Sequence, residues 1–272
     1  MKYKLTEETK QHEGITLYRI QALVDIPSMR VVAGDLGGWL ENEHNLSQEG
    51  DSWVHGYAIV FGNAWVCENA LVCGYAEVYG DAIVSGNALV YGNAKVYGYA
   101  LVYENAKVYG NAEVHGNTLV YENAKVYGYA EVYGDAWVYG KAMVYGDAKV
   151  YGNAKVYIDV LVHGNAKVYG DALVYGDAMV YANAQVSGNA RVYGNAEVHG
   201  NTLVYGDAMV YGDAMVYEDA RVSGNARVYG DTRVFGSARV YGNARVYEDA
   251  RVYGDAMVSG NAKVYGNARV YE

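Results

Sequence analysis

Cysteine, proline and phenylalanine are scarce in this chain of 272 residues, which has two, one and two of them respectively. The thiols are Cys67 and Cys73, and their spacing matches neither a disulfide framework nor a metal site. No apolar run reaches the roughly 18 residues of a transmembrane helix, and no secretory signal peptide is present. These absences predict a cytoplasmic protein with reduced thiols and no membrane partner.

Positive charge is also in deficit, because 31 acidic residues face 21 basic ones and give a formal net charge of −10. This balance argues against simple binding to nucleic acid. The glycine-rich motifs that cradle phosphates, GxGxxG and GxxxxGK, are absent too. Tyrosine and glycine are in contrast abundant, at 31 and 34 residues, and both follow from an internal repeat.

Residues 51–272 are one hexapeptide repeated without an insertion or a deletion. This stretch holds 37 copies, of which NAKVYG at residues 93–98 is typical. Valine occurs at every sixth position from Val54 to Val270, and a small residue, nearly always alanine, precedes it by two. A fixed period of this kind is the signature of a solenoid.

In a strand, residues two apart point to the same side, so the alanine and valine of each copy share one face. Glycine and then asparagine or aspartate follow, and these residue types favour a tight turn. Each hexapeptide therefore predicts a short strand and a corner, with alanine and valine buried. One such strand cannot bury its apolar side alone, so the copies must stack.

The residue before valine separates into polar and apolar columns when it is taken from every third hexapeptide. One column reads Glu77, Lys95, Glu113, Glu131, Lys149, Lys167 and Gln185, and another reads Trp65, Ile83, Leu101, Leu119 and Trp137. Three hexapeptides per coil predict an all-β solenoid with 18 residues per coil and about 12 coils in residues 57–272. Opposite charges at Glu77 and Lys95 favour this register.

The small-x-Val phrase with asparagine or aspartate and glycine at the corners resembles the hexapeptide-repeat family of left-handed parallel β-helices. The resemblance covers residues 51–272 and implies a left-handed parallel β-helix. The chain departs from the usual phrase of that family, because tyrosine stands between the inward valine and the glycine. Enzymes of the family also carry loops that leave the coils, and the repeats here have none.

Residues 1–50 are predicted to form a small β-rich cap on the solenoid of residues 51–272, since a solenoid needs its first edge covered. Residues 2–5 and 15–23 are expected to be strands, and residues 34–38 a loop. Residues 45–50 look like a degenerate hexapeptide that keeps asparagine and glycine in phase. With GDLGGWLE at residues 34–41, this stretch resembles uncharacterised proteins of bacteria, phages and prophages, some labelled polymer-forming or hexapeptide transferase.

An apolar and aromatic binding surface is predicted on the face that begins at Trp65. The residue after valine is usually tyrosine there and forms a ladder from Tyr103 to Tyr265, one ring per coil. Such rings either clad the sheet or bind a partner. The predicted surface consists of Trp65, Ile83, Leu101, Tyr103, Leu119, Tyr121, Trp137 and Tyr139. It is either covered by residues 1–50 or used for assembly into a dimer or trimer, as in the resembled family.

Further along the chain, the position before valine becomes basic. A second predicted binding surface, the Arg/Tyr face, consists of Arg227, Tyr229, Arg245, Tyr247, Lys263 and Tyr265. A guanidinium group beside an aromatic ring suits a small anionic or nucleotide ligand. The alternative is a charge-balanced surface, on which the arginines pair with the corner acids Asp219, Asp231, Glu248, Asp249 and Asp255.

An acyltransferase is the enzymatic alternative, and it would need a general base, usually histidine, beside a cofactor cleft. His115, His163 and His199 each replace a tyrosine in the outward column, without a loop or an evident carboxylate to orient them. A zinc site of the γ-type carbonic anhydrase kind would need three converging histidines, yet His163 and His199 lie two coils, about 9.6 Å, apart. We therefore predict no catalytic residue, no metal and no cofactor.

The sequence thus predicts a non-catalytic β-helical rod that binds a macromolecule or copies of itself through flat, tyrosine-rich faces. Its resemblance to phage-associated proteins implies that it blocks or sequesters a host component, such as a defence factor, in the host cytoplasm. A scaffold or filament is a further alternative, assembled through the last coil, which ends at Tyr271 and Glu272 without a capping segment.

Overall fold

The computed structural model describes all of residues 1–272 and divides into two compact units, residues 1–134 and 135–272. We call them the N-terminal unit and the C-terminal unit. Both consist mainly of short β-strands, and the N-terminal unit adds two 3₁₀ helices, Pro27–Met29 and Glu43–Asn45. No helix in the structure has the length and apolar character needed to span a membrane.

Three longer strands open the N-terminal unit: β1 (Tyr3–His12), β2 (Ile15–Ala22) and β3 (Leu36–Leu40). β1 and β2 form an antiparallel hairpin, and β2 pairs antiparallel with β3. β3 then pairs parallel with Ile59–Val60, so it joins the hairpin to the coils. The two strands predicted in this region are confirmed, although β1 continues to His12.

The loop predicted at residues 34–38 is wrong from Leu36 onward, because Gly37 and Gly38 lie inside β3. These glycines allow a close approach to the first coil. A Cβ atom on Gly38 would lie 2.6 Å from the Cγ1 atom of Val54 and 2.7 Å from the carbonyl oxygen of Ala58. Glycine here therefore reflects packing between strands, which the sequence pattern alone does not distinguish from a turn.

The rest of the N-terminal unit winds through three faces, which we call N1, N2 and N3. Face N1 continues from β3 and contains Ile59–Val60, Glu77–Val78, Lys95–Val96, Glu113–Val114 and Glu131–Val132. Face N2 contains Trp65–Val66, Ile83–Val84, Leu101–Val102 and Leu119–Val120. Face N3 contains Trp53–Val54, Leu71–Val72, Leu89–Gly92, Lys107–Gly110 and Lys125–Gly128.

The C-terminal unit likewise has three faces, C1, C2 and C3. Face C1 contains Lys149–Val150, Lys167–Val168, Gln185–Val186, Leu203–Val204, Arg221–Val222, Arg239–Val240 and Met257–Val258. Face C2 contains Trp137–Val138, Lys155–Ile158, Leu173–Gly176, Arg191–Gly194, Met209–Gly212, Arg227–Tyr229, Arg245–Val246 and Lys263–Val264. Face C3 contains Met143–Val144, Leu161–Val162, Met179–Val180, Glu197–Val198, Met215–Val216, Arg233–Val234, Arg251–Tyr253 and Arg269–Tyr271.

Parallel partners within each unit are separated by three hexapeptides. Lys95 lies opposite Glu113 on face N1, and Arg221 lies opposite Arg239 on face C1. The prediction of an all-β parallel solenoid with three hexapeptides per coil is therefore confirmed. The predicted charge pair is confirmed as well, because the ammonium nitrogen of Lys95 lies 3.4 Å from a carboxylate oxygen of Glu77.

The interior of both units is formed by the alanine and valine positions, as predicted. Ala94, Val96 and Val174, for example, have no exposed surface. Burying a valine side chain stabilises the fold by roughly 1.5–3 kcal/mol. Thr202 takes an alanine position, and its hydroxyl donates to the carbonyl oxygen of His199 at 2.6 Å, so the one polar group there is satisfied.

The corners require left-handed backbone. Gly152 has φ = +69°, and a Cβ atom on it would lie 3.0 Å from the backbone nitrogen of Gly170 in the next coil. Glutamate replaces glycine at some corners and contributes a hydrogen bond instead. Glu248, at φ = 63°, accepts from the backbone N–H of Gly266 at 2.7 Å. This bond offsets part of the strain of a non-glycine residue in that region.

The first coil is longer than the others. Leu40 pairs with Val60 and Leu46 with Val66, so each of these pairs spans two residues more than three hexapeptides. The expectation that residues 45–50 keep the phase of the repeat is thus wrong at Leu46, which occupies the valine position two residues early. It holds at Gly50, where a Cβ atom would clash with the carbonyl oxygen of Glu68, 18 residues further on. Buried Asn45 holds this coil in place, because its side-chain nitrogen donates to the carbonyl oxygens of Gly62 and Ala64, each at 2.9 Å.

Residues 1–50 cover one face of the coils and the start of another. Leu17 and Trp39 pack on Ile59 of face N1. Trp53, the first outward residue of face N3, is fully buried and meets the ring of Tyr3 edge-on, with centroids 6.3 Å apart. Face N2 is left open to solvent at Trp65, which is 40% exposed. The boundary proposed between residues 50 and 51 remains a prediction.

Candidate binding surfaces

The tyrosine rings that follow valine stack on one another within each unit. On face N2, Tyr103 and Tyr121 have ring centroids 5.0 Å apart and planes within 4°. On face C2 the same stacking runs from Tyr139 to Tyr265, with centroids 4.8–5.4 Å apart and planes within 13°. The predicted ladder is confirmed inside each unit.

This stacking decides which part of each ring a partner can contact. Successive rings cover each other's faces, so the unbroken ladder presents ring edges and hydroxyl groups to solvent. A tyrosine hydroxyl keeps its proton and can donate at neutral pH, and burial raises the pKa of Tyr193 and of Tyr211 further. A nucleobase cannot stack on a ring whose faces are already covered. The ladder of face C2 therefore suits polar contacts rather than base stacking.

The predicted apolar residues of face N2 lie directly opposite one another. Trp65 pairs with Ile83, Ile83 with Leu101, and Leu101 with Leu119. At the start of this column is a groove of about 370 Å³, lined by Ser47, Glu49 and Gly50 on one side and by Trp65, Cys67, Ile83 and Ser85 of the coils. The groove exists because small residues, Cys67 and Ser85, stand where the ladder elsewhere has tyrosine.

The other two residues of the predicted apolar surface belong to the C-terminal unit. The ammonium nitrogen of Lys155 lies 4.1 Å from the ring centroid of Trp137, a cation–π contact. Tyr139 stacks on Tyr157 with centroids 4.8 Å apart. In this unit, Trp137 and Tyr139 therefore adjoin a cation and a ladder rather than a further run of aliphatic side chains.

The Arg/Tyr face lies on face C2, where its cations follow one another in register. Arg227 pairs with Arg245, and Arg245 with Lys263. No carboxylate oxygen lies within 4.0 Å of a charged nitrogen of these three side chains. The expected pairing with corner acids is therefore not present on this face. One reason is that Glu248 already accepts from the backbone of Gly266.

The three candidate histidines are separate from one another and lie within tyrosine stacks. His115 lies between Tyr97 and Tyr133, with centroid distances of 4.6 and 5.2 Å. His163 and His199 lie on face C3, and Tyr181 stacks between them. Burial lowers the pKa of all three imidazoles. Neutral imidazole is the form of a general base, yet each ring's faces are occupied by tyrosine.

The thiols lie on two different faces and are not joined to each other. Burial raises the pKa of Cys67 to about 11 and also raises that of Cys73. No group of three or more histidine, cysteine, aspartate or glutamate side chains is arranged to hold a metal ion.

One feature that the sequence reasoning missed lies on face C1. Ser223 stands where the ladder has tyrosine elsewhere, and it lies in a slot of about 260 Å³ lined by Tyr205, Arg221, Arg239, Tyr241 and Met257. The signal was present in the sequence, because the position after valine alternates between tyrosine and serine along this face from Tyr169 to Ser259.

Comparison with known proteins gives a partial match. Five stretches of the C-terminal unit match a family model described as the YdcK β-solenoid repeat: residues 184–200, 204–219, 220–236, 238–251 and 250–264. The chain is similar to the YdcK β-solenoid repeat. An alignment 80 positions long is 36% identical to the Escherichia coli K12 protein named "Uncharacterized acetyltransferase YdcK". The alignment covers 26% of the chain and 24% of that relative. The likeness agrees with the hexapeptide-repeat solenoid that the sequence predicted.

Proposed function

We propose that this chain is a non-catalytic binding protein whose Arg/Tyr face holds an acidic macromolecular partner. The observation that carries the proposal is the run of unpaired cations at Arg227, Arg245 and Lys263. Like charges directly opposite each other destabilise a sheet. A partner that supplies negative charge along this column offsets that repulsion, while the hydroxyl edges of Tyr229 and Tyr247 supply neighbouring hydrogen bonds.

The charge of this part of the chain supports the same proposal. Residues 221–271 contain eight basic and four acidic residues, a formal net charge of +4, within a chain whose net charge is −10. A basic region on an acidic chain concentrates attraction for an anion in one place and repels it elsewhere. Such asymmetry steers a charged partner to one surface.

Heparin provides a direct test, because it is a polyanion without aromatic bases. The variant with Arg227→Gln and Arg245→Gln is expected to elute from immobilised heparin at lower salt than the native chain. The slope of log K against log salt is expected to fall by about two, since each contacting cation contributes roughly one. Lys107→Gln with Lys125→Gln is the matched control, because these two lysines are also directly opposite each other, on face N3. If both double variants lose heparin affinity to the same extent, the Arg/Tyr face is not the surface that binds the polyanion.

Self-association through face N2 is the second part of the proposal. The exposed ring of Trp65 and the aliphatic column down to Leu119 offer apolar surface that a second copy could bury. We expect a dimer or trimer in light scattering, and Leu119→Lys is expected to shift it toward the monomer. A native chain that stays monomeric at every concentration would contradict self-association through face N2. A filament would instead assemble through the last coil, and a host component blocked by a phage product is one class of macromolecular partner.

Acyl transfer is the second candidate, and the relative's name is the observation that favours it. The neutral imidazoles of His115, His163 and His199 are in the protonation state of a general base. A thermal shift with acetyl-CoA separates the candidates, since a ligand of the folded state raises the melting temperature by mass action. A shift that is lost in one of the His→Tyr variants would support the transferase. If acetyl-CoA does not raise the melting temperature, the non-catalytic binding protein is the candidate that remains.

A further inference from the structure

The tyrosine ladder of face C1 has gaps. Successive residues after valine along this face are Tyr151, Tyr169, Ser187, Tyr205, Ser223, Tyr241 and Ser259. Tyr205 and Tyr241 are 41% and 39% exposed, whereas Tyr193 and Tyr211 in the unbroken ladder of face C2 are only partly exposed. The extra exposure arises because serine leaves ring faces uncovered.

Ser223 forms the floor of a slot, and the rings of Tyr205 and Tyr241 line its two sides. These tyrosines are two coils apart, which corresponds to about 9.6 Å. In the unbroken ladder, neighbouring rings such as Tyr193 and Tyr211 have centroids 4.8 Å apart, one coil per ring. The slot therefore has room for one planar ring in contact with both tyrosines.

The rim of the slot is positively charged. Arg221 and Arg239 both line it, and they lie directly opposite each other in the sheet. Neither arginine has a carboxylate oxygen within 4.0 Å, and no residue lining the slot is acidic. An anion between the two guanidinium groups would relieve their repulsion and accept charge-assisted hydrogen bonds from both.

We propose that this slot binds a mononucleotide, with its base between Tyr205 and Tyr241 and its phosphate at Arg221 and Arg239. Arg221 is two residues from Ser223 along the strand, a separation of roughly 7 Å. This separation favours a ligand whose ring and anion are joined through a spacer, as the sugar joins them in a nucleotide. The site is separate from the Arg/Tyr face, since it lies on face C1 and uses ring faces that the other ladder keeps covered.

Uridine monophosphate is the probe, because its base is a single planar ring, and calorimetric titration of the full chain is the measurement. We expect saturable binding of this nucleotide, and binding at least tenfold weaker for uridine and for inorganic phosphate. Ser223→Tyr fills the slot with the ladder's own ring and is expected to weaken binding at least tenfold without lowering the melting temperature. Arg239→Gln is expected to weaken it about tenfold and to leave the affinity for uridine unchanged.

Ser187→Tyr is the matched control, because it fills the neighbouring gap between Tyr169 and Tyr205, which lacks the pair of arginines. Its affinity for uridine monophosphate is expected to stay within twofold of the native value. The proposal is overturned if the native chain shows no saturable binding of this nucleotide. It is equally overturned if folded Ser223→Tyr binds as well as the native chain, or if Ser187→Tyr loses as much affinity as Ser223→Tyr.

Discussion

The side-chain nitrogen of Asn183 lies 3.0 Å from the side-chain oxygen of Asn201, one coil further along the C-terminal unit. The same arrangement links Asn165 to Asn183 at 3.1 Å, and Asn201 to Asp219 at 3.0 Å. Asn183 and Asn201 each accept from one coil and donate to the next. An ionised aspartate only accepts, so it can end such a ladder but cannot continue it.

Asn183→Asp should therefore destabilise the C-terminal unit at pH 7. The new carboxylate still accepts from Asn165, but it no longer donates to Asn201. We expect a loss of about 0.5–1 kcal/mol, because the bond is exposed and water replaces part of it. Urea unfolding at pH 7 measures the effect, and protonation of the carboxyl near pH 3 should reduce it. Asp171→Asn, the reverse change at a ladder end, should be neutral or stabilising; a loss equal to that of Asn183→Asp would contradict the ladder model.

Ile158 is a second position where the direction in which a substitution changes stability can be predicted. It is a β-branched residue at φ = 70°, a region that such side chains avoid, and it is 46% exposed. Left-handed backbone costs a non-glycine residue roughly 1–2 kcal/mol. Glycine removes that cost. Its greater freedom in the unfolded chain lowers the free energy of unfolding by up to about 1 kcal/mol. Ile158→Gly should thus raise the free energy of unfolding, by up to about 1 kcal/mol.

Thermal and urea unfolding both measure this change. Ala182→Gly provides the comparison, since Ala182 also has positive φ, at 60°, but is not β-branched. The gain at residue 158 is expected to exceed the gain at residue 182. A destabilised Ile158→Gly would show that the isoleucine side chain contributes more through its contacts than its backbone conformation costs.

The two thiols should differ in reactivity. Cys67 is 5% exposed and burial raises its pKa to about 11, whereas Cys73 is less buried. Thiolate is the reactive form, so both thiols are expected to react slowly at pH 8, and Cys67 more slowly than Cys73. Alkylation of Cys67→Ser and Cys73→Ser, followed by mass spectrometry, measures the two rates separately. Faster modification of the Cys67 thiol would mean that the groove beside Trp65 opens in solution.

Much of the fold followed from the hexapeptide. Its period places alanine and valine inside, and the column that alternates between Glu77 and Lys95 sets three hexapeptides per coil. The first coil did not follow, because Leu46 replaces valine two positions out of phase and buried Asn45 closes the resulting corner. Nor could the sequence show that Tyr3 covers Trp53, since this contact joins residues that are far apart along the chain.

The candidate surfaces were predictable only as columns. The sequence places Arg227 and Arg245 in register, but whether a corner acid pairs with them depends on side-chain distances. The carboxylate of Glu248 instead accepts a hydrogen bond from the backbone N–H group of Gly266. The slot at Ser223 was visible as an irregularity in the tyrosine column. Its significance depends on the ring stacking, which the sequence does not show. Where rings otherwise cover each other's faces, serine in place of one tyrosine leaves an opening between its two neighbours.

The stability of the C-terminal unit should depend on pH through His163. This imidazole lies between Tyr145 and Tyr181, with centroid distances of 4.8 and 5.1 Å, and burial lowers its pKa. In the unfolded chain its pKa is ordinary, about 6.5. Between the two values the unfolded state binds more protons, so the free energy of unfolding rises with pH there. As pH falls below about 6.5, the folded state therefore loses stability, until pH reaches the lowered pKa of the folded state.

His163→Tyr supplies the ring that the ladder has elsewhere and removes the titrating group. We expect the difference in unfolding free energy between this variant and the native chain to grow as pH falls from 7.5 to 5, and to be constant at higher pH. Urea unfolding across this range measures it. His115→Tyr should show a pH dependence of the same sign, because burial lowers the pKa of His115 although Glu113 and Glu131 act to raise it. Parallel curves for the native chain and His163→Tyr would mean that the imidazole is as well solvated in the stack as in the unfolded chain.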